Sequence, residues 1–320
     1  MKLVVTIPAY NEEATIAEVI KEIPRNIPSI NSVKVLVIDD GSRDRTVEVA
    51  RSAGADRVIS HPANKGLAKT FKDGIEQALK MDADIIVNTD ADNHYDQSRI
   101  PDLVNPIVRK KADVVIGSRK IKELEDMPLA NKQGNRLGSY ITSKLAGLSE
   151  VVDVSTGFRA YNREAALRIN VYSDHTYTHS TLISAADQRL KIVEVPIRAR
   201  KVTRKSRLIP NVGHFIFYAG TNILRNIILF KPLRFFGLLG GLLSLVGSIF
   251  IIRFLYYYFS DGGQGHVQSL IIAAVLIIVG FQVIILGFIA SAIGWSRKLL
   301  EEILYRIKKE QLNSNHDDEQ

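Results

Sequence analysis

Residues 88–96 read NTDADNHYD and follow directly on the β-rich segment ADIIV. Two carboxylates at i and i+2, Asp90 and Asp92, can grip a hard divalent cation, Mg²⁺ or Mn²⁺. They do so through oxygen alone and leave coordination positions open for phosphate oxygens. The chain has a formal net charge of +8, so negative charge concentrated at the end of a β-rich run needs a reason. A solvated turn is the ordinary fate of an isolated aspartate pair, and only its place in a fold can raise it above that.

The elements that would position these carboxylates are legible as an alternation. KLVVTIPA (2–9), VKVLVIDD (33–40), DRVISH (56–61), ADIIVNTDAD (83–92) and ADVVIGSR (112–119) read as strands. Between them, NEEATIAEVIKEI (11–23), SRDRTVEVARSAG (42–54) and GLAKTFKDGIEQALKM (66–81) carry helical spacing or helix-closing glycine. Near-continuous Val/Ile runs separated by helices predict an α/β domain with a mainly parallel sheet covered on both faces. Ligands of such sheets bind beyond the carboxyl ends of the strands. Tyr10–Glu12, Asp39–Asp40, Asp90–Asp92 and Ser118–Arg119 all fall there. No GxGxxG follows the first strand and no GxxxxGK[ST] occurs, so the phosphates of a bound nucleotide lack a glycine cradle and a cation is the candidate holder. The absence of cysteine excludes a disulfide framework, a thiolate metal site and a cysteine nucleophile. His175 and His179 lack metal-ligand company and read as surface or packing residues.

The C-terminal third is different in kind. Phe235–Ile252 and Val267–Trp295 carry no charge, and each is long enough to cross a bilayer core, which takes roughly 20 apolar residues as helix. The turn-rich SDGGQGHV (260–267) joins them into a hairpin. Arg and Lys crowd before the first run and after the second, while the connecting loop carries only Asp261. The positive-inside rule then puts both termini in the cytoplasm and the protein in the cell membrane. MKLVVTIPAYNEE is too short in its apolar run to be a signal peptide. The basic excess sits beside the spans, which favours anionic lipid headgroups over nucleic acid. NVGHFIFYAGTNILRNIILF (211–230) has one apolar helical face and reads as an interfacial helix, with a core helix of the soluble domain as the alternative. The expected organisation is a catalytic domain over 1–209, a juxtamembrane helix over 210–232, spans over 233–259 and 268–294, and a charged tail over 295–320 that fades into disorder.

PAYNEE (8–13), VIDDGSRDRT (37–46), NKGLAKTFKDGI (64–75), TDAD (89–92), GSR (117–119) and DVSTGFRAYNREA (153–165) occur in this order. Together they resemble a family 2 glycosyltransferase of the GT-A fold, and more closely the dolichyl- and polyprenyl-phosphate sugar synthases, from residue 3 to about 209. The resemblance implies a GT-A nucleotide-sugar-binding domain followed by a membrane hairpin. It implies a nucleotide-sugar donor linked to UDP or GDP, a polyprenyl phosphate acceptor, a divalent metal and room for a homo-oligomer. Pro8, Tyr10, Glu12, Asp39, Asp40 and Lys65 match donor-contacting segments, with Asp39 as a helix cap the alternative for that residue. Asp90 and Asp92 match the metal motif, with Asn93 as a further ligand. Arg119, Arg136 and Ser139 match the acceptor-phosphate side, with a membrane-facing cation the alternative for Arg136, and Arg204 and Arg207 match a basic loop closing over the phosphates. Asp92, Arg119 and Arg136 are the expected catalytic set. Ser180 stands where these synthases usually carry glutamate. The Q-x-x-R-W motif of processive polysaccharide synthases is absent. Two alternatives stay open: the same fold acting on another acceptor, a lipid-linked oligosaccharide or a glycerolipid, and an inactive membrane scaffold.

Overall fold

A computed structural model describes residues 1–119, 138–144, 146–148, 152–171, 177–197, 199–200, 221, 224–225, 227–228, 230–261 and 267–317. Arg136, Arg204, Arg207, His175 and most of the 211–230 segment lie outside them. The chain divides into two units, one of residues 1–217 with 302–320 and one of residues 218–301.

In the first unit seven strands form one sheet: β1 (Lys2–Ala9), β2 (Ser32–Asp39), β3 (Arg57–Ser60), β4 (Ile85–Asn88), β5 (Val114–Arg119), β6 (Arg159–Asn162) and β7 (Ile192–Ile197). Their order is β3-β2-β1-β4-β6-β5-β7. The pairs β1–β2, β1–β4, β2–β3 and β5–β7 are parallel. The mainly parallel expectation is thus met with one exception. Strand β6, inserted between β4 and β5, is antiparallel to both, and its RAYN sequence is too short and too polar at its ends to announce a strand.

The helices are α1 (Ile16–Glu22), α2 (Thr46–Ser52), α3 (Leu67–Lys80), α4 (Ile100–Val108), α5 (Arg163–Arg168) and α6 (Thr178–Asp187). Side chains of a strand alternate between faces, so the sheet has two cores. Leu3, Val5, Ile7, Val35, Val37, Ile85 and Val87 pack with Ile16, Val19 and Ile20 of α1 and Leu103, Val104 and Ile107 of α4. Val4, Leu36, Ile38, Ile86, Val114 and Ile116 pack with Phe71, Ile75 and Leu79 of α3, Leu167 of α5 and Leu182 of α6. Burial on both faces is why these strands read as unbroken Val/Ile runs.

The second unit holds α7 (Pro232–Asp261) and most of α8 (Val267–Asp317). Both are long and apolar enough to cross a membrane, and Leu238, Ile252, Phe281 and Phe288 on them are exposed. Gly240 and Gly280 set their approach. A side chain on either would collide with backbone or side-chain atoms of the facing helix, the small-residue packing used where lipid supplies no hydrophobic drive. Helix α8 continues to Asp317, so the expected charged, fading tail is helical through almost all its length.

Candidate active site

The carboxyl ends of β1 and β2 carry two loops joined by hydrogen bonds. Asn11 N–H donates to Ser42 Oγ at 2.8 Å, Arg43 N–H to Asn11 Oδ1 at 2.8 Å, and Glu12 N–H to Thr46 Oγ1 at 2.8 Å. Asn11 adopts φ +54°, a left-handed conformation that asparagine tolerates. Tyr10 and Glu12 stand half-buried at this rim, while Pro8 lies buried inside β1. Thr15 Oγ1 donates to Ala91 O at 2.8 Å, which ties the start of α1 to the acidic turn.

The Asp39–Asp40 pair is buried, and each carboxylate accepts backbone N–H groups. Asp39 accepts Ser42 N–H at 3.2 Å and so closes its own turn. Asp40 accepts Lys65 N–H at 2.8 Å through one oxygen and Gly66 N–H at 2.9 Å through the other. Its Oδ1 also meets His61 Nδ1 at 2.9 Å, and His61 Nε2 meets Asp73 at 3.0 Å. Asp40 is therefore a bracket for the loop entering α3, because every carboxylate oxygen is taken by that loop. Lys65 contributes its backbone there and leaves its side chain exposed.

Beyond β4 the chain turns, and Asp90 is driven inward. Its carboxyl is pushed up to about 7, first by burial and then by the charge of Asp92, against the pull of Arg119 and a hydrogen bond from Tyr95. Tyr95 is itself fully buried. Burial and Asp90 hold its phenol protonated, and its oxygen accepts Gly157 N–H at 3.0 Å. Asn88 Nδ2 donates to Gly157 O at 2.9 Å and to Tyr177 Oη at 2.8 Å. Gly157 is required by this crowding. A Cβ there would stand 2.6 Å from Tyr177 Oη and 2.7 Å from Asp90 Oδ1.

Two carboxylates held together in a half-buried turn repel one another, and a divalent cation would relieve that repulsion. The donor set is hard oxygen, which suits Mg²⁺ or Mn²⁺. No cluster of three His, Asp or Glu side chains that could hold a metal is assembled among the described residues, so the remaining positions would fall to phosphate oxygens. Asn93, read as a third ligand, is otherwise engaged. Its Oδ1 accepts from Arg200 at 2.6 Å and its Nδ2 donates to Glu18 at 2.8 Å. His94 instead lies beside Asp92, whose Oδ1 accepts the His94 N–H at 3.1 Å. Burial and then Arg119 lower its pKa, so the ring is neutral, and its Nδ1 is buried. The sequence reading missed His94, although a histidine two residues beyond an Asp-x-Asp is the signal that could have found it.

Arg119, at the end of β5, is half-buried and forked onto Asp153, Nε to Oδ2 at 2.9 Å and Nη2 to Oδ1 at 3.1 Å, with Ser155 also accepting from Nη2 at 2.5 Å. Burial raises the Asp153 carboxyl, but these bonds more than offset it and leave it below the usual range. Ser139 is buried and accepts Val154 N–H at 3.4 Å, a brace for the same segment. Behind it the fully buried Arg159 donates to the carbonyls of Val154, Thr156 and Thr178 at 2.7, 3.0 and 2.7 Å. Ser180 is buried and donates to Tyr177 O at 3.1 Å within the first turn of α6. The position where the resembled synthases usually carry glutamate thus holds a hydroxyl satisfied by its own helix's first turn. His179 is pushed down to about 4 by burial and Arg159 and packs as a neutral ring.

The family model for glycosyl transferase family 2 matches residues 4–169, so this chain belongs to that family. A UDP-N-acetylglucosamine–dolichyl-phosphate N-acetylglucosaminyltransferase of Methanococcus voltae is 32% identical, over 60% of this chain and 83% of that protein. A dolichyl-phosphate hexose transferase of Haloferax volcanii is 34% identical, over 66% of this chain and 88% of that protein. The fold also matches glucosyl-3-phosphoglycerate synthase from Mycobacterium tuberculosis, solved with Mn²⁺, UDP and phosphoglyceric acid. Its TM-score is 0.55 at 20% identity, covering 71% of this chain and 77% of that one. The chain is a glycosyltransferase with a GT-A-type mixed sheet.

Proposed function

We propose that the protein transfers a sugar from a nucleotide-sugar donor to a polyprenyl phosphate, with inversion at the anomeric carbon, while anchored in the membrane by α7 and α8. The observation that carries this reading is the half-buried Asp90–Asp92 turn at the end of β4, with Arg119 close enough to act on Asp90. The relatives named for dolichyl phosphate support the acceptor. Residues 302–320 belong with residues 1–217, which favours one side of the membrane, the cytoplasmic side, for the catalytic domain and both termini.

A lipid phosphate is an anion at neutral pH and attacks C1 without a strong general base. The demanding task is stabilising the departing nucleoside diphosphate. A divalent metal held by Asp90 and Asp92 would neutralise charge on that leaving group. Arg119, fixed in direction by Asp153, presents positive charge to the acidic turn and offsets the repulsion between anionic donor and anionic acceptor. His94 stays neutral and adds no opposing charge.

The test uses membranes containing the full chain, polyprenyl phosphate and a panel of labelled nucleotide sugars, with Mg²⁺ or Mn²⁺ and with EDTA. Metal-dependent label entering the lipid phase from one donor, and lost in Asp92→Ala, is the expected result. Nucleotide binding without transfer to this lipid would move the acceptor to another class. Loss of both would overturn the enzymatic reading in favour of a scaffold.

A further inference from the structure

The tip of the acidic turn is gripped from outside by a residue that no motif singles out. Arg200 lies just beyond β7. Its N–H donates to His94 O at 2.8 Å, and its neighbour Ala199 forms an antiparallel bridge with Tyr95. Its guanidinium donates through Nη1 to Asn93 Oδ1 at 2.6 Å and to Glu22 Oε2 at 2.8 Å, and through Nη2 to Glu22 Oε1. Asp96 stands 3.6 Å away. The other end of the Asn93 amide donates to Glu18 at 2.8 Å, and Glu22 Oε2 also accepts Gln97 N–H at 3.2 Å. Glu18 and Glu22 are one turn apart on α1 and so share a face. Asn93 itself has φ +59°, and both polar ends of its side chain are fixed.

These contacts fall on Asn93, His94, Asp96 and Gln97, and Asn93 is the link between Asp92 and His94. We propose that Arg200 is a positioning residue that sets the Asp92–His94 backbone for cation binding; this rests on the metal reading above. Two physical effects act together. The forked guanidinium fixes direction as well as charge, which a lysine ammonium does not reproduce. It also balances Glu18, Glu22 and Asp96, carboxylates whose mutual repulsion would otherwise distort the turn. Arg200 immediately precedes Lys201, Arg204, Lys205 and Arg207, so the same residue joins the acidic turn to the basic stretch read as the phosphate-side loop.

The experiment measures Mn²⁺ binding, by the electron paramagnetic resonance signal of free Mn²⁺, on the detergent-purified full chain. Arg200→Gln and Arg200→Lys are each expected to weaken Mn²⁺ binding about tenfold, equivalent to about 1.4 kcal/mol, with little change in melting temperature. Asn93→Ala should weaken it in the same direction, and Arg200→Gln combined with Asn93→Ala should be no worse than Arg200→Gln alone. A purely structural Arg200 would lower the melting temperature and leave the dissociation constant unchanged, and that result would overturn the proposal. Where Arg200→Gln does not fold, Asn93→Ala decides, with wild-type Mn²⁺ binding counting against. Asp92→Ala separates the two readings. If it retains wild-type Mn²⁺ binding, the metal reading itself fails; if it abolishes binding while the Arg200 variants do not, only the positioning role fails.

Discussion

At the scale of single residues, the charge on Asp90 governs the site. Its carboxyl titrates near 7 because burial and then Asp92 disfavour the anion. An unfolded aspartate ionises near 3.8, so between that value and about 7 the folded chain holds a proton that the unfolded chain has released. This contribution to stability is complete below 3.8 and is lost as pH rises through about 7. A bound divalent cation replaces the proton. The rise in melting temperature caused by Mn²⁺ is therefore expected to be larger at pH 8 than at pH 6, and Asp90→Asn should flatten that difference. Equal shifts at both pH values in the unmodified protein would remove Asp90 from the cation site. The Asp90–Asp92 spacing was legible in the sequence because it depends only on residue type and a strand end. The role of Asp40 was not, since adjacent aspartates look alike until tertiary contacts show that one carboxylate brackets Lys65 and Gly66.

At the scale of elements, the parallel strands could be read because burial on both faces forces Val/Ile runs. Strand β6 could not, since RAYN carries the fully buried Arg159, whose cost is met by the carbonyls of Val154 in the preceding turn and Thr178 in α6. That strand and the turn before it deliver Gly157 to the floor of the acidic turn. Gly157→Ala would place a methyl 2.7 Å from Asp90 Oδ1 and 2.6 Å from Tyr177 Oη, so one of them must move. Displacing a reacting group by about 1 Å costs on the order of 10²-fold in rate. Transfer by Gly157→Ala is expected to fall by about that factor, with the melting temperature falling by only a few degrees. A variant with wild-type turnover would show that the turn can retreat without consequence. Ser139 and Ser180 teach the same lesson as Asp40. A serine is legible as polar but not as pointing toward solvent or toward backbone, and both are buried against backbone groups here.

At the scale of the whole molecule, the end of the chain returns to its beginning. Tyr305 of α8 is nearly buried within the α3–α5–α6 core. Its hydroxyl donates to Glu164 at 3.0 Å, and the Arg168 guanidinium lies 3.9 Å from its ring centroid. Arg168 also pairs with Glu164 at 2.6 Å and with Glu302 at 3.4 Å, and Leu312 packs on the same core. The sequence EEILYRIKKEQLNSNH conceals this, because its charges are those of a solvated helix and a single tyrosine gives no periodic signal. Truncating a buried aromatic side chain costs about 3–5 kcal/mol, and partial exposure of this one argues for the lower end. For a domain of about 200 residues each kcal/mol is worth roughly 2–4 °C. Tyr305→Ala is therefore expected to lower the melting temperature of the detergent-solubilised chain by about 6–12 °C, while Tyr305→Phe, which loses the hydroxyl's bonds with Glu164 and Lys309 and keeps the ring, should lose about a third of that. Glu164→Gln should resemble Tyr305→Phe only if the hydroxyl is the main link, whereas a larger loss would mean that the Glu164–Arg168 pair holds the ring in place. A melting temperature unchanged by Tyr305→Ala would show that the C-terminal helix rests on the α3–α5–α6 core without stabilising it.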